Sequence, residues 1–289
     1  MKDDFDKNDI KSWWAENPMT YGETHGRADY KDSSHEMGSR EFFDRIDNEF
    51  YSWNNPLHKK KPFDKIFPYE KYKNKKVLEI GCGLGTMLMN WSKNGSECTG
   101  VDLNPTSVTQ SKKRFEIHNI DADIRLEDAN NLTFDNESFD YVWSWGVLHH
   151  SPNLELSINE LFRVLKPGGE FGIMLYNRES LYQWYMTDYI EGFLHRESKF
   201  LSPLDLNSRY GDGHKEEGNP HTWPITKKEG LSILKKFSKN VSVDILGTDL
   251  DCVLKLLIPG FSSFVPKFIV KALARSLGWS LWFSGKKDL

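Results

Sequence analysis

VLEIGCGLGT, residues 77–86, is the stretch that decides the fold. Four mostly apolar residues, typical of a buried strand, are followed by glycines at alternate positions, Gly81, Gly83 and Gly85. Glycine lets the backbone bend sharply and approach a ligand closely, and a helix after such a turn presents the N–H groups of its first residues. The stretch therefore predicts a strand, a turn and a helix, with a ligand at the turn.

A carboxylate lies at the end of the next predicted strand, as the glycine turn lies at the end of the first. The strand predicted over 98–101 ends at Asp102, which lies 21 residues past Gly81, and a carboxylate there can accept hydrogen bonds from both hydroxyls of a ribose. A tight connection without a ligand is the alternative, but the turn, the strand and the acid together favour a nucleotide-type site. The glycine spacing is Gly-x-Gly-x-Gly, whereas dinucleotide folds use Gly-x-Gly-x-x-Gly, which disfavours an NAD(P) oxidoreductase.

Outward from this unit, short apolar stretches alternate with helical patterns, which is typical of a parallel sheet with crossover helices. Beyond 77–80 and 98–101, we predict strands at 124–126, 139–144, 170–176, 241–246 and 279–284. We predict helices from the glycine turn to about 93, at 105–118, at 154–165, at 226–237 and within 248–278. Residues 177 to about 225 break this rhythm and are predicted to be an insertion of loops and short helices.

Composition sets the broad class. The 289 residues are 38% hydrophobic and 28% charged, which suits one large α/β domain with additions. The net charge of −4 argues against a general electrostatic grip on nucleic acid. The three cysteines form no Cys-x-x-Cys pair, so we expect neither zinc nor disulfides, and the reducing cytoplasm is the simplest location. The charged N-terminus lacks a signal-peptide core.

Together these motifs resemble the class I, Rossmann-like S-adenosylmethionine-dependent methyltransferases, and within them the type 11 small-molecule group. Besides the glycine turn, the resemblance rests on LEDA at 126–129, FDYVWSWGVLHH at 139–150 and LFRVLKPGG at 161–169, so it covers about residues 76–176. It implies a three-layer α/β fold whose seven-stranded, mostly parallel sheet ends in an antiparallel strand, for which 279–283 fits. It also implies S-adenosylmethionine as cofactor and a small-molecule methyl acceptor, with the methylated atom left open between N, O, S and C.

The resemblance divides the chain into two parts. Residues 1–74 are expected to be an extension with lid helices that faces the substrate. Residues 75–289 are expected to be the Rossmann-like methyltransferase domain, with insertions at about 177–225 and 248–278.

The resemblance also assigns cofactor contacts residue by residue. Asp102 is expected to hold the ribose, Asp128 and Ala129 the adenine, and the turn from Gly81 to Gly85 the amino-acid portion. The full expected set is Glu79, Gly81, Cys82, Gly83, Gly85, Thr86, Asp102, Leu103, Asp128, Ala129 and Trp145. Trp145 is larger than the residue that many relatives carry, which leaves the shape of the acceptor site open.

Histidines and aromatic residues are the candidates for catalysis and acceptor binding. An oxygen or nitrogen acceptor loses a proton, and histidine can take one near neutral pH. The resemblance favours a local structural role for His149 and His150, with His150 the first candidate if a base is used. Tyr21 is the second catalytic candidate, because aromatic faces attract a cationic sulfonium. The acceptor candidates are Trp14, Tyr21, Trp145, His149, Arg209, Asp212, His214 and His221, and the irregular spacing of the last three disfavours a metal site.

Some alternatives stay open at this level. A catalytically silent protein that binds S-adenosylmethionine or a partner on the same fold is the alternative function, because a fold does not imply an activity. The amphipathic stretch 264–277 allows a membrane-surface helix, but packing over the sheet edge with a solvated basic stripe is favoured. The sequence leaves the oligomeric state open.

Overall fold

The computed structural model describes residues 7–16, 35–211, 218–247 and 266–289. Within these ranges seven strands form one sheet in the order β3-β2-β1-β4-β5-β7-β6. The strands are β1 (Lys76–Ile80), β2 (Glu97–Asp102), β3 (Asp123–Leu126), β4 (Phe139–Trp145), β5 (Leu165–Tyr176), β6 (Val241–Leu246) and β7 (Ser280–Lys286). The α-helices are α1 (Lys7–Glu16), α2 (Arg40–Trp53), α3 (Leu88–Lys93), α4 (Pro105–Ile117), α5 (Leu154–Val164), α6 (Pro203–Gly211), α7 (Lys227–Leu234) and α8 (Lys267–Leu277), and a π-helix covers Gln183–Leu194.

The topology of the sheet indicates where a ligand would bind. Strands β1 to β5 are parallel, and β7 lies antiparallel between β5 and β6. The expected α/β class and the antiparallel last strand are therefore confirmed. Strand order reverses at β1, which lies between β2 and β4. In open α/β sheets ligands bind beyond the carboxyl ends of the strands at this kind of reversal.

Two helix starts follow from capping side chains, as the sequence predicts. The Asn104 side chain accepts a hydrogen bond from the N–H of Thr106 at 2.8 Å, ahead of Pro105 in the first turn of α4. The Thr226 side chain and Glu229 form a reciprocal capping box at the start of α7. Each cap satisfies N–H groups that the first turn of a helix leaves without partners.

Several predicted boundaries differ from the structure, most of all the start of β5 and the end of α7. Strand β5 begins at Leu165 rather than 170, and α5 ends at Val164. Leu165 pairs with Phe139, and the register shifts before Tyr141, so the glycines at 168–169 lie in an irregular start of the strand instead of in a separate turn. A Cβ at Gly169 would lie 3.0 Å from the carbonyl oxygen of Asp140, which explains the glycine there. Helix α7 ends at Leu234, before the predicted 237.

Apolar side chains cover both faces of the sheet. On one face Leu78 and Val142 pack with Ile158 and Leu161 of α5. On the other, aromatic residues from 50–72 pack against the strands, and the Phe67 ring centroid lies 4.7 Å from that of the fully buried Trp143. The segment from α2 to residue 72 thus shares the core of the sheet.

The segments that interrupt the alternation are partly described. Residues 177–211 contain the π-helix, a short 3-10 turn at Glu197–Lys199 and α6, while 212–217 lie outside the described residues. Of the apolar stretch predicted to be helical, 248–265 lie outside the described residues, and α8 is helical as expected. None of the described helices is long and apolar enough to cross a membrane.

Candidate active site

The glycine turn after β1 combines close packing with one open position. Gly81, Gly83 and Gly85 have φ values of +79°, +51° and +78°, a region that L side chains rarely adopt. A Cβ at Gly81 would lie 2.3 Å from a methyl carbon of Val147, and one at Gly85 would lie 2.5 Å from the Ser111 hydroxyl. A Cβ at Gly83 would have no described heavy atom within 4 Å. The backbone at Gly83 therefore faces space in which a ligand can approach it.

Asp102, at the end of β2, is bound to this turn. Its Oδ2 accepts a hydrogen bond from the N–H of Gly83 at 2.8 Å, and its Oδ1 accepts one from the N–H of Asn104 at 2.9 Å. Burial raises the pKa of Asp102, and these N–H donors oppose the shift by stabilising the charged form. Each carboxylate oxygen has a second lone pair, so the group can still accept hydrogen bonds from ligand hydroxyls.

Glu79, on β1, adds a second buried carboxyl group beside the turn. It accepts a hydrogen bond from the N–H of Leu88, and burial together with Asp102 raises its pKa well above the usual value. Its Oε2 has no hydrogen-bond partner among the described residues. A buried carboxyl oxygen that lacks a donor is an acceptor that an ammonium group of a bound ligand can satisfy.

Three further cofactor candidates lie in the glycine turn or directly after β2: Cys82, Thr86 and Leu103. Cys82 turns its thiol into the apolar core, and its N–H bonds the carbonyl of Val101 at 3.0 Å. The carbonyl of Thr86 accepts a hydrogen bond from the Tyr51 hydroxyl at 2.8 Å. The N–H of Leu103 bonds the carboxylate of Asp102.

After β3, Asp128 accepts a hydrogen bond from the N–H of Asn130 at 3.0 Å. Ala129 is half-buried against the core on the α5 face of the sheet. Residues 128 and 129 thus follow the strand next to β2, which puts them at the same edge of the sheet as Asp102.

The end of β4 carries aromatic rings. The half-buried Trp145 contacts Phe63 and Trp282, with ring centroids 5.3 Å and 5.7 Å away. His149 is fully buried, and its ring centroid lies 3.9 Å from that of Tyr176. Neither ring nitrogen of His149 has a hydrogen-bond partner in the described part of the chain, and burial lowers its pKa well below the usual value. His149 is therefore a neutral ring at neutral pH.

His150 has a defined tautomer. Its Nδ1 lies 2.9 Å from the carbonyl oxygen of His221 and 3.2 Å from the Thr222 hydroxyl oxygen. The Thr222 hydroxyl donates to Asn219 at 2.7 Å, so its oxygen accepts from the histidine. Because a carbonyl oxygen only accepts, Nδ1 carries a proton, so in the neutral form of the ring the lone pair lies on Nε2. This tautomer is assigned from the hydrogen bonds.

Helix α1 lies across the ends of two strands. The Trp14 carbonyl accepts a hydrogen bond from the Asn104 side-chain amide, just after β2. The Trp14 ring centroid lies 5.2 Å from that of His150, just after β4. Helix α1 thus lies over the carboxyl ends of the strands, between the end of β2 and the end of β4.

The structure brings some acceptor candidates together and separates others. Trp14, His149, His150 and His221 form one cluster, in which burial lowers the pKa of His221 to about 4. Arg209, on α6, turns its guanidinium toward Glu197 at 3.7 Å. Tyr21, Asp212 and His214 lie outside the described residues. Within the described ranges, no three His, Cys, Asp or Glu side chains are grouped as metal ligands would be.

Sequence reasoning missed several contributors to this edge. Tyr51 reaches Thr86 from α2, 35 positions away, and the Asn90 side chain donates to its hydroxyl at 2.9 Å. Thr222 orients His150 from 72 positions away. No local pattern in the sequence marks such residues.

Comparison with known proteins identifies the family. Residues 78–173 match the family model for a methyltransferase domain. A ubiquinone biosynthesis O-methyltransferase of Coxiella burnetii is 30% identical over 211 residues, which cover 67% of this chain and 88% of that protein. The chain belongs to the S-adenosylmethionine-dependent methyltransferases. This methyltransferase uses S-adenosylmethionine as its cofactor and transfers the methyl group to a small-molecule acceptor.

Further similarities agree with this assignment. A sterol 24-C-methyltransferase of Schizosaccharomyces pombe is 30% identical over 171 residues, 57% of this chain and 40% of that protein. The structure of an S-adenosylmethionine-dependent methyltransferase from Methanosarcina mazei superposes on this chain with a TM-score of 0.53 at 20% sequence identity. The superposition covers 78% of this chain and 99% of the Methanosarcina mazei chain. The structure of a Pyrococcus horikoshii protein superposes with a TM-score of 0.52 at 17% sequence identity. This superposition covers 90% of this chain and 97% of the Pyrococcus horikoshii chain. The two solved structures share the fold.

Proposed function

We propose that this methyltransferase holds S-adenosylmethionine across the carboxyl ends of β1 to β4. Glu79 and the turn from Gly81 to Thr86 bind the amino-acid portion, Asp102 binds the ribose, and Asp128 with Ala129 contacts the adenine. The open face of Gly83 and the unpartnered oxygen of Glu79 support this placement. When bound, the cofactor supplies a methyl group on a sulfonium that is transferred in line. Cys82, Leu103 and Trp145 complete the proposed shell, the first two through backbone atoms.

The proposed acceptor position is beside His150, under α1 and against the segment 218–223. Trp14, His149 and His221 border this place. Burial keeps His149 and His221 neutral at neutral pH. This setting suits an uncharged part of the acceptor, because neutral and aromatic walls do not compensate a buried charge. Tyr21, Asp212 and His214 remain acceptor candidates from the sequence, and Arg209 remains a weaker one, since it pairs with Glu197.

The tautomer of His150 is the observation that carries the proposed chemistry. Its Nδ1 proton is held by the His221 carbonyl, so the Nε2 lone pair can take a proton. An acceptor hydroxyl gives its proton to Nε2 while its oxygen bonds to the methyl carbon, and the electron pair of the broken carbon–sulfur bond stays on sulfur. The name of the Coxiella burnetii relative, an O-methyltransferase, supports an oxygen acceptor for this chain.

The proposal includes a lid and a location. Helix α1, from the extension 1–74, closes over the site through Trp14, while 75–289 provide the methyltransferase domain. The cytoplasm fits the free, buried thiols of Cys82 and Cys98.

The deciding experiment is methyl transfer from isotopically labelled S-adenosylmethionine to a pool of small metabolites, with mass spectrometry of the product. We expect a label on an oxygen atom with the wild type and none with Gly83→Val, which serves as the blank. A label on nitrogen, sulfur or carbon would overturn the hydroxyl acceptor. A wild type that binds the cofactor but labels nothing would favour the catalytically silent alternative.

A further inference from the structure

The π-helix and the turn after it expose large apolar side chains. Exposed fractions are 58% for Trp184, 40% for Tyr189, 69% for Phe193, 49% for Leu194 and 84% for Phe200. We call these five residues the aromatic ridge. They lie within 17 residues of chain and make up nearly half of the large exposed hydrophobic side chains in the described ranges. Contiguous apolar patches of this kind mark interaction sites.

The ridge is ordered rather than scattered. The ring centroids of Trp184 and Tyr189 lie 6.2 Å apart at an interplanar angle of 13°. Those of Tyr189 and Phe193 lie 6.0 Å apart at 16°. Because hydrogen bonds in a π-helix join residues five apart, residues 184 and 189 lie one above the other. The rings therefore present one continuous apolar strip along the helix.

The charged side chains beside the ridge differ in exposure. Arg196 and Lys199 are exposed. Two carboxylates of the same segment are half-buried: Glu191 bonds His195 Nδ1 at 2.7 Å, and Glu197 accepts from the Tyr210 hydroxyl at 2.8 Å. The carboxylate of Asp188, although exposed, accepts a hydrogen bond from the Gln183 side chain at 2.9 Å. At the 193–200 end of the ridge, the exposed charged side chains therefore include Arg196 and Lys199 and no carboxylate.

We propose that the aromatic ridge docks on the surface of an anionic lipid membrane. Trp and Tyr rings prefer the membrane–water interface, and basic residues next to an apolar face add attraction to anionic headgroups. A second copy of the chain is the alternative occupant, which sedimentation velocity distinguishes from a membrane.

A series of rings connects the ridge to the active site. Tyr182 precedes the π-helix, and its ring centroid lies 4.9 Å from that of Trp279. Trp279 lies 4.7 Å from Tyr176, which contacts His149 at 3.9 Å. Docking through the ridge would hold the acceptor side of the site near the lipid surface. The lipid contact itself does not depend on the proposed acceptor chemistry.

The test is co-sedimentation of the full chain with vesicles, without cofactor or acceptor. One set of vesicles contains phosphatidylcholine alone, and the other contains phosphatidylcholine with phosphatidylglycerol. The ridge variant is Trp184→Ser with Phe193→Ser and Phe200→Ser. The matched control is Met37→Ser with Leu156→Ser, which removes side chains 44% and 40% exposed outside the ridge. We expect the wild type and the control to bind the anionic vesicles, and the ridge variant to bind at least about tenfold more weakly.

A charge variant separates the two parts of the interaction. Arg196→Glu with Lys199→Glu should weaken binding to the anionic vesicles by about tenfold or more and leave binding to neutral vesicles little changed. Circular dichroism should show native folding for every variant, because the replaced side chains are exposed. The single change Phe200→Ser is the mildest variant, and it should weaken binding partially.

Three outcomes would overturn the proposal. The wild type could stay in the supernatant with both vesicles, or the ridge variant could bind as the wild type does. Sedimentation velocity without lipid could also show a wild-type dimer that the ridge variant makes monomeric, which would assign the ridge to self-association. Since no methyl donor is present, none of these outcomes bears on the proposed methyl transfer.

Discussion

The carboxylate of Asp102 accepts a hydrogen bond from the N–H of Gly83 at 2.8 Å. This bond joins the end of β2 to the turn after β1, so the proposed ribose anchor and the open position of the glycine turn form one unit. A change at either residue should therefore affect cofactor binding first and the rest of the fold second.

Replacing Asp102 by alanine should weaken S-adenosylmethionine binding by about 10- to 150-fold, the loss of a hydrogen bond to a charged group. Calorimetric titration measures the dissociation constant. The control is Asp123→Ala, which removes the acidic first residue of β3, at the opposite end of the strands. A folded Asp102→Ala protein with an unchanged dissociation constant would rule out this ribose anchor.

Gly83→Val should abolish measurable cofactor binding in a folded protein, because its side chain would occupy the space that now lies open at the turn. Gly168→Val is the matched control. Gly168 also has a positive φ, +73°, so the backbone strain is comparable, but a Cβ there meets Lys286 and Leu289 at ordinary distances of 3.4 and 3.5 Å. Titration and circular dichroism compare the two. Equal cofactor affinity in both variants would place the cofactor elsewhere.

His150→Gln should lower kcat by about 100- to 10,000-fold, the usual effect of losing a general base, with little change in cofactor affinity. The glutamine amide can still donate to the His221 carbonyl but takes no proton. The pH–rate profile should lose its acidic limb, which a structural role would not cause. His118→Gln, at the end of α4, is the control. A loss of less than about tenfold would return His150 to the local structural role that the family resemblance favours.

The contribution of His149 and His221 to thermal stability should fall as the pH drops from about 6.5 toward 5. Burial lowers the pKa of His149 well below its usual value and that of His221 to about 4. Between the native and unfolded pKa values the unfolded chain binds more protons, so acid favours unfolding. Burial raises the pKa of Glu79, which acts in the opposite direction in this range, so the histidine contribution is read from the difference between the wild type and a variant that lacks the histidine.

His149→Phe tests this linkage. It keeps a ring against Tyr176 but removes the titration, so its melting temperature should depend less on pH than that of the wild type. His195→Gln replaces an imidazole that is 60% exposed and should follow the wild-type curve. Parallel curves for His149→Phe and the wild type would show that the buried ring does not titrate in this range.

Local signals in the sequence predicted much of this fold. The cap at Asn104, the capping box at Thr226 and strand β6 each depend on a few adjacent residues, and the structure has them as predicted. The start of β5 was missed because Pro167, Gly168 and Gly169 indicate a turn, whereas pairing of Leu165 with Phe139 extends the strand. Pairing between distant strands decided that boundary, and no local pattern reports it.

The candidate site also has a part that the sequence predicts and a part that only the folded chain shows. The glycine turn and Asp102 follow from spacing along the chain, because both end strands that must be neighbours in the sheet. The tautomer of His150 depends on a carbonyl 71 residues away, and the anchor of α1 joins residues 90 apart. His150 and Asn104 could each be noticed in the sequence, but their partners could not, since only the folded chain brings them together.

Asn104→Ser should loosen the lid while keeping the helix. Asn104 has two roles: its oxygen caps α4, and its amide nitrogen donates to the Trp14 carbonyl of α1. Serine caps a helix about as well as asparagine but is too short to replace the second contact. The melting temperature should therefore change little, while kcat/KM for the acceptor falls by about two- to tenfold, the effect of one hydrogen bond.

Two further variants complete this test of the lid. Asn104→Ala loses the cap as well, which should cost about 1 kcal/mol of stability in addition to the same loss of kcat/KM. Deletion of residues 1–16 removes α1 entirely, and it should reduce turnover far more than it lowers the melting temperature, because the core formed from residue 42 onward remains. Full activity in both Asn104→Ser and the deletion would show that α1 only docks on the surface, and that the acceptor is enclosed by other residues.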